Sequence, residues 1–252
     1  MTYDVNKGIS WINYDQFGTP RRVQFANHSI TEYVYAADGR RLKTRHRTSV
    51  PRSDMLGINQ TATLPSSETL SVDSTEYIGS YVCTNGQARR YNFDGGYLML
   101  YKNIAIPRYY IKDHLGSNRV VVNTIGYINQ HNIYYALGGT TALRSGQEYQ
   151  QYKYTDKEYD PMHGLNLYDY GARQYDPAIG RFTSVDPLAE KYYHLTPYSY
   201  CGGDPVNKVD PDGRHIEVEP FSDYQYRVIG GHANDDLNVY LHYRQVNQEM
   251  QL

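Results

Sequence analysis

Along this chain apolar and polar residues alternate in short runs, and turn residues end each run before a helix can form. Ser10 to Asp15 alternates, Gln16-Phe17-Gly18-Thr19-Pro20 turns the chain, and Arg21 to Phe25 returns. Ile30 to Ala36 alternates again, Ala37-Asp38-Gly39-Arg40 turns, and Arg41 to His46 returns. Period-two alternation predicts strands, and Asp-Gly or Asn-Gly between such runs is a strong hairpin signal. Residues 1–48 therefore read as two hairpins. From Thr75 the same text resumes. TEYIGSYV leads to Asn85-Gly86, ARRYNF to Asp94-Gly95-Gly96, and YLMLY follows. RYYIK then runs to Asp113-His114-Leu115-Gly116-Ser117, and NRVVVN, YINQHNIYYA and EYQQYKYT extend the pattern to residue 155. Between the two blocks, Ser49 to Ser74 is rich in Ser, Thr and Pro and has no sustained period, which predicts a mobile loop insert or linker. Helical text is scarce. Only Pro187 to Tyr193 suits a short helix, with Asp186 as N-cap and Pro at the first position. The fold class expected is mainly β, built from antiparallel hairpins.

Two units share a layout of Tyr, a turn with Asp and Gly, then a pair of arginines. One is Tyr14-Asp15…Gly18…Arg21-Arg22 and the other Tyr35…Asp38-Gly39-Arg40-Arg41. A repeat of about 20 residues signals stacked units that cannot bury their faces alone. Composition adds one anomaly: 29 Tyr against 5 Phe and 1 Trp among 252 residues. Tyrosine combines β propensity with an apolar ring and a polar tip, so its strands tolerate water on both faces. That suits a thin sheet or a hollow shell; simple strand propensity accounts for the bias equally well. A net charge of −2 points to neither nucleic acid nor a membrane surface. Mean hydropathy is −0.71, and no apolar run approaches the roughly 18 residues of a membrane span. The start, MTYDVNKGISW, has no apolar signal-peptide core. Cys83 and Cys201 make no disulfide framework and are expected as free thiols.

The densest stretch is Leu165 to Asp186, LNLYDYGARQYDPAIGRFTSVD. Even spacings of Tyr and Gln predict short strands broken at Asp176-Pro177 and Gly180. Around it stand three further pieces in order. Asp113-His114-Leu115-Gly116-Ser117 with Arg119-Val120 comes first, then Tyr154-Thr155 with Lys157-Glu158 and Gly164-Leu165. Tyr198, Tyr200, Gly202, Asp204-Pro205-Val206-Asn207 and Asp210-Pro211 with Gly213 close the series. Together these resemble the Rhs-repeat (YD-repeat) family, and from about Glu76 to Arg214 the chain resembles its Rhs-repeat-associated core domain. Residues 1–48 are then YD-repeat-like hairpins, 49–74 a polar insert, 75–214 the core, and 215–252 a variable C-terminal tail.

The resemblance implies a β shell whose strands spiral around a hollow interior, with the core plugging one end. It implies a structural and delivery role in a polymorphic toxin of interbacterial competition, enclosing or presenting a C-terminal effector. The partners implied are an upstream YD-repeat shell, the effector and an immunity protein, with no nucleic acid, membrane span, cofactor or metal. The full-length context would be secreted or at the cell surface. In several such proteins the core is an aspartyl autoprotease that cuts after the last Asp-Pro-x-Gly piece. Carried over, the catalytic pair is Asp186 and Asp210, and the cut follows Gly213 or Arg214. Two close carboxylates can share a proton, one acting as acid while the other activates water. Arg173 and Arg181 could orient them by bidentate pairing; structural ion pairs or guanidinium–Tyr stacking are the alternative. Three departures keep a purely turn-forming role for both Asp-Pro pairs open. Ala189 stands where the first motif has Gly, Asp186 and Asp210 are 24 residues apart, and Arg214 replaces the usual Leu. A module that stacks Tyr-rich strands on sugar rings is a third functional reading. His114 and Cys201 lack partners at metal or nucleophile spacing, so they are expected as a turn histidine and a packed thiol. In the tail, His215, His232, His242, Asp235 and Asp236 suit a metal-dependent nuclease, but 38 residues suit a remnant better.

Overall fold

The computed structural model of the protein describes residues 1–102, 104–140 and 150–218. Eleven strands form one sheet in strict chain order: β1 (Ile9–Tyr14), β2 (Pro20–Phe25), β3 (Ile30–Tyr35), β4 (Arg41–Ser49), β5 (Thr69–Ile78), β6 (Tyr81–Thr84), β7 (Gln87–Phe93), β8 (Gly96–Tyr101), β9 (Ile104–Lys112), β10 (Asn118–Val122) and β11 (Ile128–His131). Every neighbouring pair is antiparallel. A four-stranded sheet follows, from β12 (Glu158–Asp160), β13 (Leu167–Asp169), β14 (Gln174–Asp176) and β15 (Arg181–Phe182). The last pair is β16 (Lys208–Val209) with β17 (Glu217–Val218). The mainly β, antiparallel class expected from alternation is the class observed. The turns at Asp38-Gly39, Asn85-Gly86 and Asp94-Gly95 join strands as their sequences specify, with the glycines at φ +86°, +76° and +79°.

Four local expectations differ. TEYIGSYV is two strands, broken at Gly79-Ser80, where Gly79 takes φ +59°. Ser49 to Ser74 is not simply a loose insert. Thr69 to Ser74 belongs to β5 and pairs with β4. The remaining connection is laid over the sheet: Leu56 N–H reaches Ala26 O at 2.8 Å and Asn59 N–H reaches Ser10 O at 2.8 Å. Arg22 Nη2 donates to Ala62 O at 2.8 Å, and Leu64 is buried. Polar side chains and backbone anchor it, so hydropathy gives no sign of it. The described part of EYQQYKYT forms no strand; Tyr154–Asp156 is a 3₁₀ turn with Thr155 and Asp156 both at positive φ. Thr155 is held there by its N–H on Ser117 Oγ at 3.1 Å and its Oγ1 against Tyr170 Oη at 2.7 Å. Finally, Pro187 to Tyr193 yields only a 3₁₀ turn, Ala189–Lys191: Asp186 Oδ1 caps the Leu188 N–H as expected, but the bonds that follow are short-range, such as Tyr192 N–H to Ala189 O at 3.1 Å, and the chain then doubles back to bring Pro197 O onto Asp186 N–H at 2.9 Å. The tail residues His232, Asp235, Asp236 and His242 lie outside the described residues.

Two cores hold the sheets together. Ile9, Ile12, Val23, Phe25 and Tyr33 of the large sheet pack on Leu165 and Leu167. The second core is aromatic: Tyr154, Tyr168, Tyr170, Tyr175, Phe182 and Tyr200 with Cys201. Each hydroxyl finds an acceptor, as buried tyrosine requires. Tyr154, Tyr175 and Tyr168 donate to three successive carbonyls, those of Ala136, Leu137 and Gly138, at 3.0, 2.8 and 2.9 Å. Tyr170 and Tyr200 share a hydrogen bond at 2.9 Å. Gly138 is obligatory: at φ +82° a Cβ there would lie 2.5 Å from the Tyr154 ring. Tyrosine therefore builds a dense plug as well as wettable strands.

Between the sheets lies a buried ion cluster. Arg41 on β4 pairs with Glu158 Oε2 at 2.6 Å and Asp169 Oδ2 at 3.1 Å. Tyr77 on β5 donates to Glu158 at 2.7 Å, and the Arg41 guanidinium lies 5.1 Å from the Tyr77 ring centroid. Burial pushes the Glu158 carboxyl up, with Arg41 opposing. Replacing Arg41 by Met should cost about 3–5 kcal/mol, because two buried carboxylates lose their cation. Urea unfolding of the Arg41→Met chain checks this, and a loss below 1 kcal/mol would refute it.

Candidate functional site

The turn Tyr170 to Arg173 and the loops after β15 and β16 converge on one guanidinium. Asp169 Oδ1 accepts the Gly171 N–H at 2.8 Å, and Tyr170 N–H bonds to Arg173 O at 3.0 Å. This tight turn, with Gly171 at φ +89°, aims Arg173 inward. The guanidinium carbon lies 3.7 Å from the Phe182 ring centroid. Arg173 Nη2 reaches Asp186 Oδ2 at 3.0 Å and Asp210 Oδ2 at 3.4 Å. Arg173 Nη1 donates to Pro197 O at 3.2 Å and Nε to Gly213 O at 2.5 Å. All three side chains are nearly or fully buried, at 2%, 10% and 1% exposure for Arg173, Asp186 and Asp210.

The two aspartates differ in setting. Asp186 Oδ1 accepts the Leu188 N–H at 2.7 Å. A cavity with room for about one water opens beside it, between Ala189, Tyr192, Thr196 and Pro197. Asp210 is sealed: its Oδ1 takes the N–H groups of Gly213 at 2.6 Å and Asp212 at 3.2 Å. Burial pushes the Asp210 carboxyl up to about 6, against the pull of Arg173 and these amides. Burial also lowers the Arg173 pKa, opposed by the two aspartates. Gly213 sits at φ +75° where a Cβ would come within 3.0 Å of Arg173 N, so its carbonyl can reach Arg173 only as glycine.

Of the six residues expected at the site, Asp186, Asp210, Arg173 and Gly213 meet. Arg214 is exposed, one residue beyond. Arg181 does not take part: it is exposed on β15 opposite Asp176, and no ion pair of the described residues joins it to either aspartate. Strand parity decides this, since Phe182 turns inward beneath Arg173 and its neighbour must face out. Of the two arginines Arg173 is the one paired with both aspartates, and its ring partner is a phenylalanine rather than a tyrosine. Lys157, part of the second ordered piece, has a place here that its sequence context does not signal. Its Nζ donates to Pro211 O at 2.6 Å and lies 5.3 Å from the Tyr170 ring centroid. Among the described residues His114 bonds to a backbone carbonyl, Val206 O at 3.1 Å, and Cys201 is buried, which pushes its thiol pKa up. Among the described residues no cluster of His, Cys, Asp or Glu could hold a metal, and no helix is long and apolar enough to cross a membrane.

The same architecture occurs in a solved toxin complex. The TcdB2–TccC3–TEV crystal structure superposes on 82% of this chain with a TM-score of 0.60 and 23% identity, using 10% of its own length. The chain has the fold of that part of TcdB2–TccC3. Two sequence relatives align over 42% of the chain. They are salivary gland surface protein 1 of Aedes aegypti, 36% identical over 112 residues, and toxin subunit YenC1 of Yersinia entomophaga, 34% identical over 110 residues. The aligned stretch spans only 3% and 11% of those proteins. No family model matches the sequence.

The raised Asp210 pKa has a stability consequence. The folded state holds this proton more tightly than the unfolded chain, so its contribution is complete below pH 4 and is lost as pH rises through 6. Between those limits the difference in unfolding free energy between wild type and Asp210→Asn should fall by up to about 3 kcal/mol. Urea midpoints at pH 3.5, 5 and 7 read this directly; a difference that is constant with pH would contradict it.

Proposed function

We propose that this chain is the core end of an Rhs-type β shell, a structural and delivery component of a polymorphic toxin that encloses or presents a C-terminal effector. The observation that carries this reading is the face of the large sheet turned toward the small one. Beyond the apolar contact of β1–β3 it carries Arg41, Tyr77, Arg90, Tyr97, Arg108 and Tyr110, with isolated aliphatic side chains such as Val82 and Val121 between them. Arg90 lies over Tyr97 at 3.9 Å and over Tyr152 at 4.6 Å from the ring centroids, and donates to Tyr110. Such a face suits a wall around a wet interior better than half of a dry sandwich. The fold shared with TcdB2–TccC3 supports the toxin context, as does the alignment with a Yersinia toxin subunit. An immunity protein and a secreted or cell-surface location belong to the same proposal. Expression together with the upstream reading frame tests it. Further Tyr-Asp repeats and a particle with a central cavity by electron microscopy are expected; a solid particle, or no such repeats, would sink it.

A second reading is favoured by one observation. Arg173 bridges Asp186 and Asp210 and also donates to the carbonyl of Gly213, the residue before the expected cut. A donor on a carbonyl beside a pair of buried carboxyls and a water-sized cavity suits a single-turnover aspartyl autoprotease. Mass spectrometry of the purified chain should reveal a product ending at Gly213 or Arg214 that disappears in Asp210→Asn. An intact mass persisting for days would exclude self-cleavage.

A further inference from the structure

The peptide bond between Gly213 and Arg214 is gripped from both sides. Upstream, Gly213 O lies on Arg173 Nε and Gly213 N–H on Asp210 Oδ1. Downstream, Arg214 N–H donates to Asp212 Oδ1 at 2.9 Å, and His215 N–H donates to the same oxygen at 3.1 Å. The other oxygen, Asp212 Oδ2, meets His215 Nδ1 at 2.9 Å. The backbone of Asp212 is itself fixed, since its carbonyl accepts the Ala172 N–H at 3.1 Å beside Arg173. Burial raises the Asp212 carboxyl, but the His215 ring and the two amides more than offset it, so the group is held below its usual range as a charged acceptor.

Resting on the self-cleavage reading, we propose that Asp212 is the positioning residue that sets the register of the cut, presenting the Gly213–Arg214 bond to Asp186 and Asp210. Its grip on the Arg214 and His215 amides and on the His215 ring makes His215 part of the recognised sequence. In the step it serves, the oxygen of a water molecule bonds to the Gly213 carbonyl carbon and the bond to the Arg214 nitrogen breaks. One water proton passes by way of the carboxyl pair to that nitrogen and the other is released when the new Gly213 carboxylic acid ionises, leaving a Gly213 carboxylate and a free Arg214 amine. The step is sensitive to alignment, because attack requires the carbonyl to stay within reach of both water and Arg173. Arg214 is exposed and follows a glycine at positive φ, so without Asp212 the link from Arg214 to Ile216, between the cut and the strand β17 that pairs with β16, would sample more conformations.

The test uses the full chain and its Asp212→Ala and Asp212→Asn variants, read by mass spectrometry over time with thermal melting as a fold check. Wild type is expected to give one product end, at Gly213. Asp212→Ala should form product roughly tenfold more slowly, or with ends at both Gly213 and Arg214. Asp212→Asn keeps an oxygen acceptor for the two amides and should keep the single end. A purely structural role would lower Tm without moving the end. If wild type cleaves and Asp212→Ala gives the same single end at the same rate, the assignment to Asp212 is overturned while self-cleavage stands. An intact wild type overturns both. Should Asp212→Ala fail to fold, Asp212→Glu shifts the oxygens by one methylene and is judged by the same outcomes.

Discussion

The arrangement depends on one buried guanidinium. Glu158 and Asp169 are direct partners across the β12–β13 ladder, two like charges placed opposite each other out of water. Such a pair repels, and burial makes the repulsion worse. Arg41, reaching over from the large sheet, touches both carboxylates and so lets these strands pair at all. The dependence then runs onward. Asp169 also shapes the turn that aims Arg173, and Arg173 gathers Asp186, Asp210 and Gly213. The candidate site is thus organised by an ion pair made by a strand more than a hundred residues earlier in the chain.

Tyrosine solves a different problem in each half. On the large sheet its ring covers a guanidinium while its hydroxyl stays polar, as for Arg41 over Tyr77 and Arg90 over Tyr97. In the plug, rings pack edge to face, as for Tyr170 against Phe182 at 5.5 Å and 89°. There the hydroxyls fasten a turn that has few apolar contacts of its own. Phenylalanine would fill the same volume but leave the carbonyls of residues 136–138 without donors, a cost of about 1–3 kcal/mol for each such group that stays dry.

Much of the fold was legible because hairpin chemistry is local. Asp38-Gly39, Asn85-Gly86 and Asp94-Gly95 specify left-handed backbone that few other pairs adopt, and alternation supplies the strands around them. The connection from Val50 to Glu68 was not legible, since what pins it is hydrogen bonding to Ala26, Ser10 and Arg22, partners far away in sequence. Of the site, the ordered motif brought Asp186, Asp210, Arg173 and Gly213 together on paper. It could not separate Arg173 from Arg181, because that choice is made by the face on which Phe182 lands. Nor could it reveal the Glu158–Asp169 opposition, which exists only once β12 and β13 are in register.

The strict sequential order of the eleven strands has a consequence for biogenesis. Within the large sheet each strand pairs only with its predecessor and successor, so the sheet can lengthen one hairpin at a time as residues leave a ribosome. No strand waits for a distant partner. The aromatic plug is the opposite: its rings come from residues 154–200 and its acceptors from 136–138, while its fastening to the wall needs Arg41 already in place. The aromatic cluster can therefore form only after residue 200 has been made, and until then the large sheet stands as a ribbon without it.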